Sequence, residues 1–258
     1  MMKHKNMSEN QEHEYGAKGY LIVHSLFAAD EIDLLRTVAE RELNEQSVMV
    51  KGDFEGGKTS LKLWDHAGDD VFGLFARDER VVNAAERLLA QEVYLYSAKM
   101  IMKNARAGGA WEWHQDYGYW YNYGCLYPWM LSCIIAVDRA TRENGCLQVL
   151  EGSHQIGRVE HSRINEQTVA DAERVEIARQ QLPLVYLELE PGDAVYFDCN
   201  LLHRSDANRS PDRRWSYICS YNAVKNQPYK RVRDYGNYEP LSKTPSCAIR
   251  ELAVGGMR

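Results

Sequence analysis

The sequence lacks any apolar stretch long enough to cross a membrane. Even its longest apolar runs, such as CIIAV at residues 133–137, are far shorter than a membrane-spanning helix. A membrane-spanning helix needs about 20 mostly apolar residues. The N-terminal segment MMKHKNMSENQEHEYG is polar and has no apolar centre of the kind found in secretory signals. These absences predict a cytoplasmic protein with no membrane partner.

Two other features are missing: paired cysteine spacing and a basic stripe. The six cysteines show no CxxC pattern and stand mostly in apolar surroundings, as buried thiols of a reducing compartment do. The net charge is -6 and the basic residues are scattered or close to acids, which argues against a nucleic-acid partner. No repeat, low-complexity block or Pro-rich linker divides the chain, so we expect one domain over residues 1–258, as a monomer or a homodimer.

The N-terminal part of the chain shows helical and strand patterns in turn. About the first 14 residues are polar and predict a disordered tail. A short apolar run at 18–27 predicts a strand, and apolar residues at helical spacing predict helices within 28–46 and 77–91. Residues 50–72 are rich in Gly, Asp and Lys and predict a loop between these helices.

From residue 92 the pattern changes to short β-like runs separated by turns such as RENG and EPGD. Such runs favour a mainly β (α+β) fold, a double-stranded β-helix (jelly roll, cupin-like) with flanking N-terminal helices. One charged, helix-forming segment at about 155–183 interrupts the strands. We expect it to be a helical insertion that covers the site.

One histidine and one aspartate stand two residues apart in the aromatic segment WEWHQDYGYW. Alternate residues of a strand face the same side, so His114 and Asp116 can reach one metal ion. His203 follows a later strand, and two histidines with one carboxylate form the facial triad that suits non-haem Fe(II). An HxD pair alone is a weak signal, and a polar pair within an aromatic core is the alternative. The histidines expected to be structural or solvated are His4, His13, His24, His66 and His154.

An arginine supplies a further element of this pattern. Arg214 stands 11 residues after His203, at the start of the next apolar strand. Its planar guanidinium can donate two parallel hydrogen bonds to a carboxylate. We expect it to hold the far carboxylate of a bound 2-oxo acid.

These residues stand in motifs shared with one family. They are WHQD around His114, NGCLQVLEGSH at 144–154, PGDAVYFDCNLLHRSDANRS at 191–210, RRW at 213–215 and GYLIVHSLFAADEIDLLR near the N-terminus. With them the chain resembles the phytanoyl-CoA dioxygenase family of Fe(II)/2-oxoglutarate-dependent oxygenases, over most of its length.

The resemblance implies an enzyme that uses Fe(II), 2-oxoglutarate and O2. It implies iron ligation by His114, Asp116 and His203. It further implies that Arg214 anchors the distal carboxylate of 2-oxoglutarate and that Ser205 and Lys99 contact the co-substrate. The chain departs from many members at Ile134, where they carry tryptophan, so the pocket wall differs.

The substrate is predicted less sharply than the cofactors. Tyr117 and Tyr119 are our first choices among the aromatic residues to line the pocket, and aromatic faces bind ammonium groups. Arg158 and His161 can place positive charge above the iron. We therefore expect hydroxylation of a small polar metabolite, aminophosphonate or amino-acid-like. The alternatives are a non-catalytic metal and 2-oxoglutarate binding module, and an oxidative outcome such as desaturation, cyclisation or epimerisation.

Overall fold

The computed structural model describes residues 7–44, 46–230, 238 and 240–255, with side chains to residue 253. The helices in these ranges are α1 (Glu9–Lys18), α2 (Ala29–Glu42), α3 (Val71–Arg77), α4 (Glu79–Leu89), α5 (Asp116–Trp120), α6 (Ala172–Gln181) and α7 (Cys247–Gly255). Single 3-10 turns lie at Ser153–Ile156 and Val224–Asn226. None of the helices in this part of the chain is long and apolar enough to cross a membrane.

The strands form three antiparallel sheets. They are β1 (Tyr20–Val23), β2 (Met49–Gly52), β3 (Lys58–Trp64), β4 (Val93–Lys103), β5 (Trp111–His114), β6 (Met130–Ala136), β7 (Leu147–Leu150), β8 (His161–Ile164), β9 (Gln167–Ala170), β10 (Leu184–Leu187), β11 (Ala194–Asp198), β12 (His203–Ser205) and β13 (Arg214–Ala223). The large sheet has the order β1-β11-β6-β13-β4-β3-β2, and the small sheet has the order β10-β7-β12-β5. Strands β8 and β9 pair with each other as a separate hairpin.

The large and small sheets pack face to face. Ile134 and Ile218 of the large sheet share one buried cluster with Val149 and Leu187 of the small sheet. Burial of this apolar surface stabilises the fold by roughly 25 cal/mol per Å². The predicted jelly-roll core is confirmed, and the predicted N-terminal strand and two helices are present as β1, α2 and α4.

Strand β6 shows how the large sheet divides two cores. All seven of its residues are buried, because both of its faces are covered. Ile134 faces the small sheet, whereas Leu131, Cys133 and Ile135 join a second cluster with Leu35 of α2. The alternation of side chains along the strand therefore leaves one face for the helices and the other for the interior of the jelly roll.

The predicted disorder through residue 14 is wrong for residues 9–14, which belong to α1. A capping box opens this helix: Gln11 N–H donates to Ser8 Oγ at 3.3 Å, and Ser8 N–H donates to Gln11 Oε1 at 2.9 Å. Tyr15 is buried in the same cluster as Leu35 of α2, between the helices and the large sheet. The polar composition of this segment gave no sign of the helix, whose one buried side chain is Tyr15. Residues 1–6 lie outside the described ranges.

Two hairpins replace a predicted loop and part of a predicted helix. Residues 49–64 form β2 and β3, which extend the large sheet beyond β4. In the insertion the α-helix is confined to Ala172–Gln181, and it is preceded by the hairpin of β8 and β9. Asn165 takes the left-handed conformation, φ +53°, at the tip of that hairpin, and an asparagine adopts such a turn more readily than most residues.

A buried ion network joins α2 to the start of α4. The guanidinium of Arg80 donates to both carboxylate oxygens of Glu31 at 2.9 and 3.0 Å and to both oxygens of Asp78 at 2.8 Å. Glu31 and Asp78 are fully buried. Removal of Arg80 would leave Asp78 buried without a cation, and Glu31 would keep only the longer ion pair with Arg250, at 3.4 Å.

We expect Arg80→Met to lower the free energy of unfolding by about 3–5 kcal/mol, because Glu31 and Asp78 lose their shared cation. Arg41→Met is the control, since the Arg41 and Glu42 pair is exposed and such pairs contribute at most about 1 kcal/mol. Urea unfolding followed by circular dichroism measures both. Equal losses in the two variants would contradict the importance of the buried network.

Candidate active site

The two sheets enclose a cavity of about 750 Å³ that contains the predicted metal triad. His114 ends β5 and His203 begins β12, and these residues lie directly opposite each other in neighbouring strands. Their ring centroids are 4.1 Å apart. With Asp116 they offer three ligand atoms that all lie within 4.8 Å of one another.

A β-bulge sets this register. His203 pairs with His114, but Ser205, two residues further along β12, pairs with Trp111 instead of residue 112. One extra residue therefore lies in β5, and both Trp111 and His114 line the cavity.

Asp116 does not lie on the strand, as the sequence pattern suggested, but is the first residue of α5. Gln115 is still extended, with φ -115° and ψ 137°, so the alternation of sides continues through Asp116 before the helix begins. The expected pairing of His114 and Asp116 thus holds. Its local structure differs from the prediction.

Gln115 fixes this turn and was not singled out from the sequence. Its side chain is fully buried and donates to the carbonyls of Gly157 at 2.8 Å and Asn200 at 2.6 Å, while its Oε1 accepts from Val159 N–H at 2.8 Å. Its own N–H donates to His161 Nε2 at 2.9 Å. Every polar group of the side chain is used to hold the peptide between the two candidate ligands.

The carboxylate of Asp116 is held from both sides. Ser132 Oγ donates to Oδ2 at 2.8 Å, and the hydroxyl of Tyr119 donates to Oδ1. Burial alone raises the pKa of Asp116, but the charge of Lys99, the electrostatic influence of the neighbouring imidazoles and the Tyr119 hydrogen bond lower it to about 2. The group is therefore ionised and able to bind a cation at neutral pH.

Both histidines present Nε2 to the same space. The Nδ1 atoms lie 2.7 Å from the carbonyl of Glu112, for His114, and 2.9 Å from that of Leu201, for His203, so that each Nδ1–H donates to its carbonyl. Burial, together with the neighbouring His203, lowers the pKa of His114 to about 3, and burial lowers the pKa of His203. Neutral imidazoles with a fixed tautomer are the form that ligates a metal. Two such groups and one carboxylate fit Fe(II) with open coordination positions.

Arg214 lies buried at another part of the cavity wall, at the start of β13. Its Nη1 donates to Ser216 Oγ at 3.0 Å, while its buried Nε has no hydrogen-bond partner among the described residues. Burial lowers the pKa of Arg214 to about 10. A buried guanidinium with an unused donor fits an anionic ligand such as the distal carboxylate of 2-oxoglutarate.

Ser205 and Lys99 complete the predicted cofactor set and line the same cavity. Ser205 is buried in β12, and Lys99 is half-buried on β4 opposite Ile218 of β13. The structure therefore brings all six predicted metal and co-substrate residues around one space.

Of the four predicted substrate residues, only Tyr119 lines the cavity. Tyr117 does not: its hydroxyl donates to the carbonyls of Leu126 at 2.7 Å and Cys125 at 3.1 Å. The reason is that the segment is a helix, in which Tyr119, three residues after Asp116, turns back to the carboxylate.

Arg158 and His161 also lie outside the cavity lining, so the structure corrects their placement above the metal site. Arg158 pairs with Glu160 at 2.8 Å and lies over the ring of Tyr121. His161 accepts the N–H of Gln115 and bonds the carbonyl of Val159 through Nδ1 at 2.9 Å. Both side chains therefore have partners outside the cavity, although the Nε of Arg158 has none among the described residues.

The outer wall of the cavity was missed by the sequence analysis. It comes from the two hairpins and includes Lys51, Trp64, Glu166 and Gln167. Gln167 is buried and joins the hairpins: its Oε1 accepts from Glu112 N–H at 3.0 Å, and its Nε2 donates to Gly52 O at 3.2 Å and Ala110 O at 3.0 Å. Only the alternation in KTSLKLW, at 58–64, could have indicated a strand there.

The jelly roll and its triad define the class of Fe(II)/2-oxoglutarate-dependent dioxygenases, enzymes that use Fe(II), 2-oxoglutarate and O2. The chain belongs to the phytanoyl-CoA dioxygenase (PhyH) family, whose model matches residues 15–216. The resemblance predicted from the motifs is confirmed.

Relatives support this membership. The chain is 30% identical over 237 residues to the L-proline trans-4-hydroxylase of Streptomyces griseoviridis, which covers 85% of this chain and 88% of the relative. It is 26% identical over 236 residues to the ectoine dioxygenase of Bordetella bronchiseptica, covering 85% and 77%. EctD from S. alaskensis, solved with 2-oxoglutarate and 5-hydroxyectoine, has the same fold, with a TM-score of 0.79, 24% identity and coverage of 95% and 90%.

We expect Tyr119→Phe to weaken Fe(II) binding about 10-fold, because the carboxylate of Asp116, a candidate ligand, loses the hydrogen bond from the Tyr119 hydroxyl. Its matched control is Tyr117→Phe, which should leave iron affinity unchanged and cost about 1 kcal/mol of unfolding free energy through the lost bonds to the backbone. Anaerobic metal titration and thermal unfolding measure the two effects. Weaker Fe(II) binding in Tyr117→Phe together with unchanged binding in Tyr119→Phe would contradict the assignment of Tyr119 to the metal site and of Tyr117 to the protein core.

Proposed function

We propose that the chain is one catalytic domain that hydroxylates an unactivated C–H bond of a small, amino-acid-like metabolite, with succinate and CO2 as co-products. The observation that carries this proposal is the single cavity that joins the His114, Asp116 and His203 cluster to the buried guanidinium of Arg214. In such a cavity a metal and a dicarboxylic co-substrate can be bound side by side.

In this proposal iron is held by His114, Asp116 and His203, and 2-oxoglutarate by Arg214, Ser205 and Lys99. Bound iron and 2-oxoglutarate supply the activation of O2 that the hydroxylation requires. The contribution of the protein is orientation: the fixed imidazoles, the doubly hydrogen-bonded carboxylate of Asp116 and the buried Arg214. The apolar residues between them, such as Ile134 and Ile218, keep water away from the co-substrate.

The spacing of the two cations supports their separate roles. Lys99 lies opposite Ile218, four residues from Arg214 along β13, which is a rise of about 13 Å. The charge of Lys99 lowers the pKa of Asp116. Lys99 is thus near the metal end, whereas Arg214 serves the far end of the co-substrate.

The outer part of the cavity supports a zwitterionic substrate. Lys51 lines it without an ion pair in the described part of the chain, and Glu166 and the rings of Tyr123 and Trp64 lie in the same wall. A lysine suits a carboxylate, and a carboxylate or aromatic faces suit an ammonium group. The relatives named for ectoine and L-proline have substrates of this size and type. An aminophosphonate loses its main support, because Arg158 and His161 lie elsewhere.

The direct test is succinate formation by the Fe(II)-loaded protein with 2-oxoglutarate, ascorbate and a substrate panel. The panel contains L-proline and other amino acids, ectoine, aminophosphonates, betaines and acyl thioesters. We expect an amino-acid-like compound to stimulate succinate formation and to gain one oxygen atom by mass spectrometry. A product that is desaturated, cyclised or epimerised would replace hydroxylation by another outcome, and 2-oxoglutarate binding without any turnover would favour a binding module.

We expect Asp116→Ala to abolish turnover, because the metal loses its only anionic ligand in the triad. Arg214→Met should raise the KM for 2-oxoglutarate about 30-fold or more, since the distal carboxylate would be buried without a cation. Arg213→Met is the matched control, because the neighbouring guanidinium pairs with Asp138 at 3.1 Å and with Glu40. Steady-state kinetics measures all three, and wild-type KM in the Arg214 variant would overturn the site assignment.

A further inference from the structure

The cavity wall formed by β2 and β3 carries apolar side chains that nothing covers. Met49 of β2 and Leu63 of β3 both line the cavity, yet they are 44% and 37% exposed. Leu61 lies directly opposite Met49 and lines the cavity as well. Large apolar side chains that stay uncovered side by side mark a surface on which an apolar group binds.

This apolar stripe, formed by Met49, Leu61 and Leu63, has a defined direction. Leu63 lies directly opposite Lys99 of β4, whose charge lowers the pKa of Asp116 at the proposed metal site. From Leu63 the stripe follows β3 to Leu61 and crosses to Met49 of β2. One end of the stripe is therefore near the metal site, and the other end is at the edge of the large sheet.

A lysine stands at that edge. Lys51 is two residues after Met49, so both side chains project from the same face of β2. Lys51 lines the cavity, and its ammonium group has no hydrogen bond or ion pair in the described part of the chain. Strands β3 and β4 separate its backbone from that of Arg214 by about 14 Å. Lys51 is thus available to a ligand other than the co-substrate.

An acid lies beside this lysine. Glu166, in the turn between β8 and β9, lines the cavity, and its Oε2 accepts the N–H of Gly52 at 3.2 Å. No other described residue donates to the carboxylate, and it forms no ion pair with Lys51. A cation and an anion are therefore held close together in one wall without neutralising each other. This arrangement fits the carboxylate and the ammonium group of an α-amino acid.

The length of the stripe restricts the ligand. Lys51 lies opposite Thr59, which is four residues from Leu63 along β3, and four residues of a strand rise by about 13 Å. A ligand whose charged groups are held by Lys51 and Glu166 must therefore extend along the stripe to approach the metal. Because the stripe is apolar, the extended part is an aliphatic chain, and a compact ring spans less of this distance.

We propose that the substrate is a linear α-amino acid with an aliphatic side chain, which enters the cavity side chain first. Lys51 binds its carboxylate and Glu166 its ammonium group, while its side chain lies on the apolar stripe. This inference rests on the proposed function and specifies the substrate of the same site. The oxidised C–H bond is then in the outer half of the side chain. It becomes C–OH with one oxygen atom of O2, and the other oxygen atom enters succinate as 2-oxoglutarate loses CO2.

The first test is a series of straight-chain amino acids, L-alanine, L-norvaline and L-norleucine. Each is titrated into the protein loaded with Fe(II) and 2-oxoglutarate, and anaerobic calorimetry gives its Kd. Each CH2 group added should lower the Kd about 4-fold, because it is buried on the stripe. Equal affinity across the series, or tighter binding of L-proline or ectoine than of L-norleucine, would overturn the proposal.

Two variants test the charged contacts. Lys51→Met keeps most of the side-chain stem and removes the charge, so the Kd of L-norleucine should rise about 10-fold or more while that of 2-oxoglutarate stays within about 2-fold. Glu166→Gln keeps a carbonyl oxygen for the N–H of Gly52. It should raise the Kd of L-norleucine about 10-fold, but not that of hexanoate, which lacks the ammonium group.

Lys62→Met is the matched control, because Lys62 lies on β3 outside the cavity lining and should leave every Kd unchanged. An unchanged Kd of L-norleucine in Lys51→Met would overturn the role of the lysine. Equal weakening of L-norleucine and hexanoate by Glu166→Gln would overturn the role of the acid.

The failures of the two proposals are distinguishable. If the Fe(II)-loaded protein neither binds 2-oxoglutarate nor forms succinate with any compound of the panel, the proposed function fails. If succinate forms with another class of compound and L-norleucine does not bind, only the assignment of a linear aliphatic amino acid is overturned.

Discussion

The candidate site depends on the pairing of β12 with β5. Strand β12 has only three residues, yet it places His203 directly opposite His114, and the bulge in β5 turns Trp111 to the same cavity. In each histidine, Nδ1–H donates to the carbonyl two residues earlier, so the local backbone fixes the direction of the ring. The proposed metal ligands are thus oriented by hydrogen bonds to the main chain that do not depend on a bound metal.

The two sheets contribute different chemistry to the cavity. The small sheet carries the neutral donors His114 and His203, whereas the large sheet carries the cations Lys99 and Arg214 and the hydroxyl of Ser132 that holds Asp116. Because the sheets pack face to face over an apolar layer, these charges act on one another through an interior of low polarity. This explains how Asp116 remains ionised although it is buried.

The sequence predicted the jelly roll, the triad and Arg214, because each leaves a local pattern: short alternating runs, an HxD pair and an arginine that opens a strand. It did not separate Tyr117 from Tyr119, since their roles depend on whether the chain after His114 continues as a strand or turns into a helix. The prediction that Arg158 and His161 face the metal was wrong because charge alone does not reveal local partners. Arg158 pairs with Glu160, and His161 accepts a hydrogen bond from a backbone N–H.

The hydrogen bond from Gln115 to His161 links the proposed metal site to the insertion between β7 and β10. The peptide between the two proposed ligands donates to a histidine of β8, and the Gln115 side chain holds Val159 just before that strand. The hairpin of β8 and β9 also supplies Glu166 and Gln167 to the cavity mouth. This hairpin is therefore not an independent module: a graft or deletion that moves it would also displace the peptide between the proposed metal ligands, so the shape of the cavity mouth and the metal affinity are coupled.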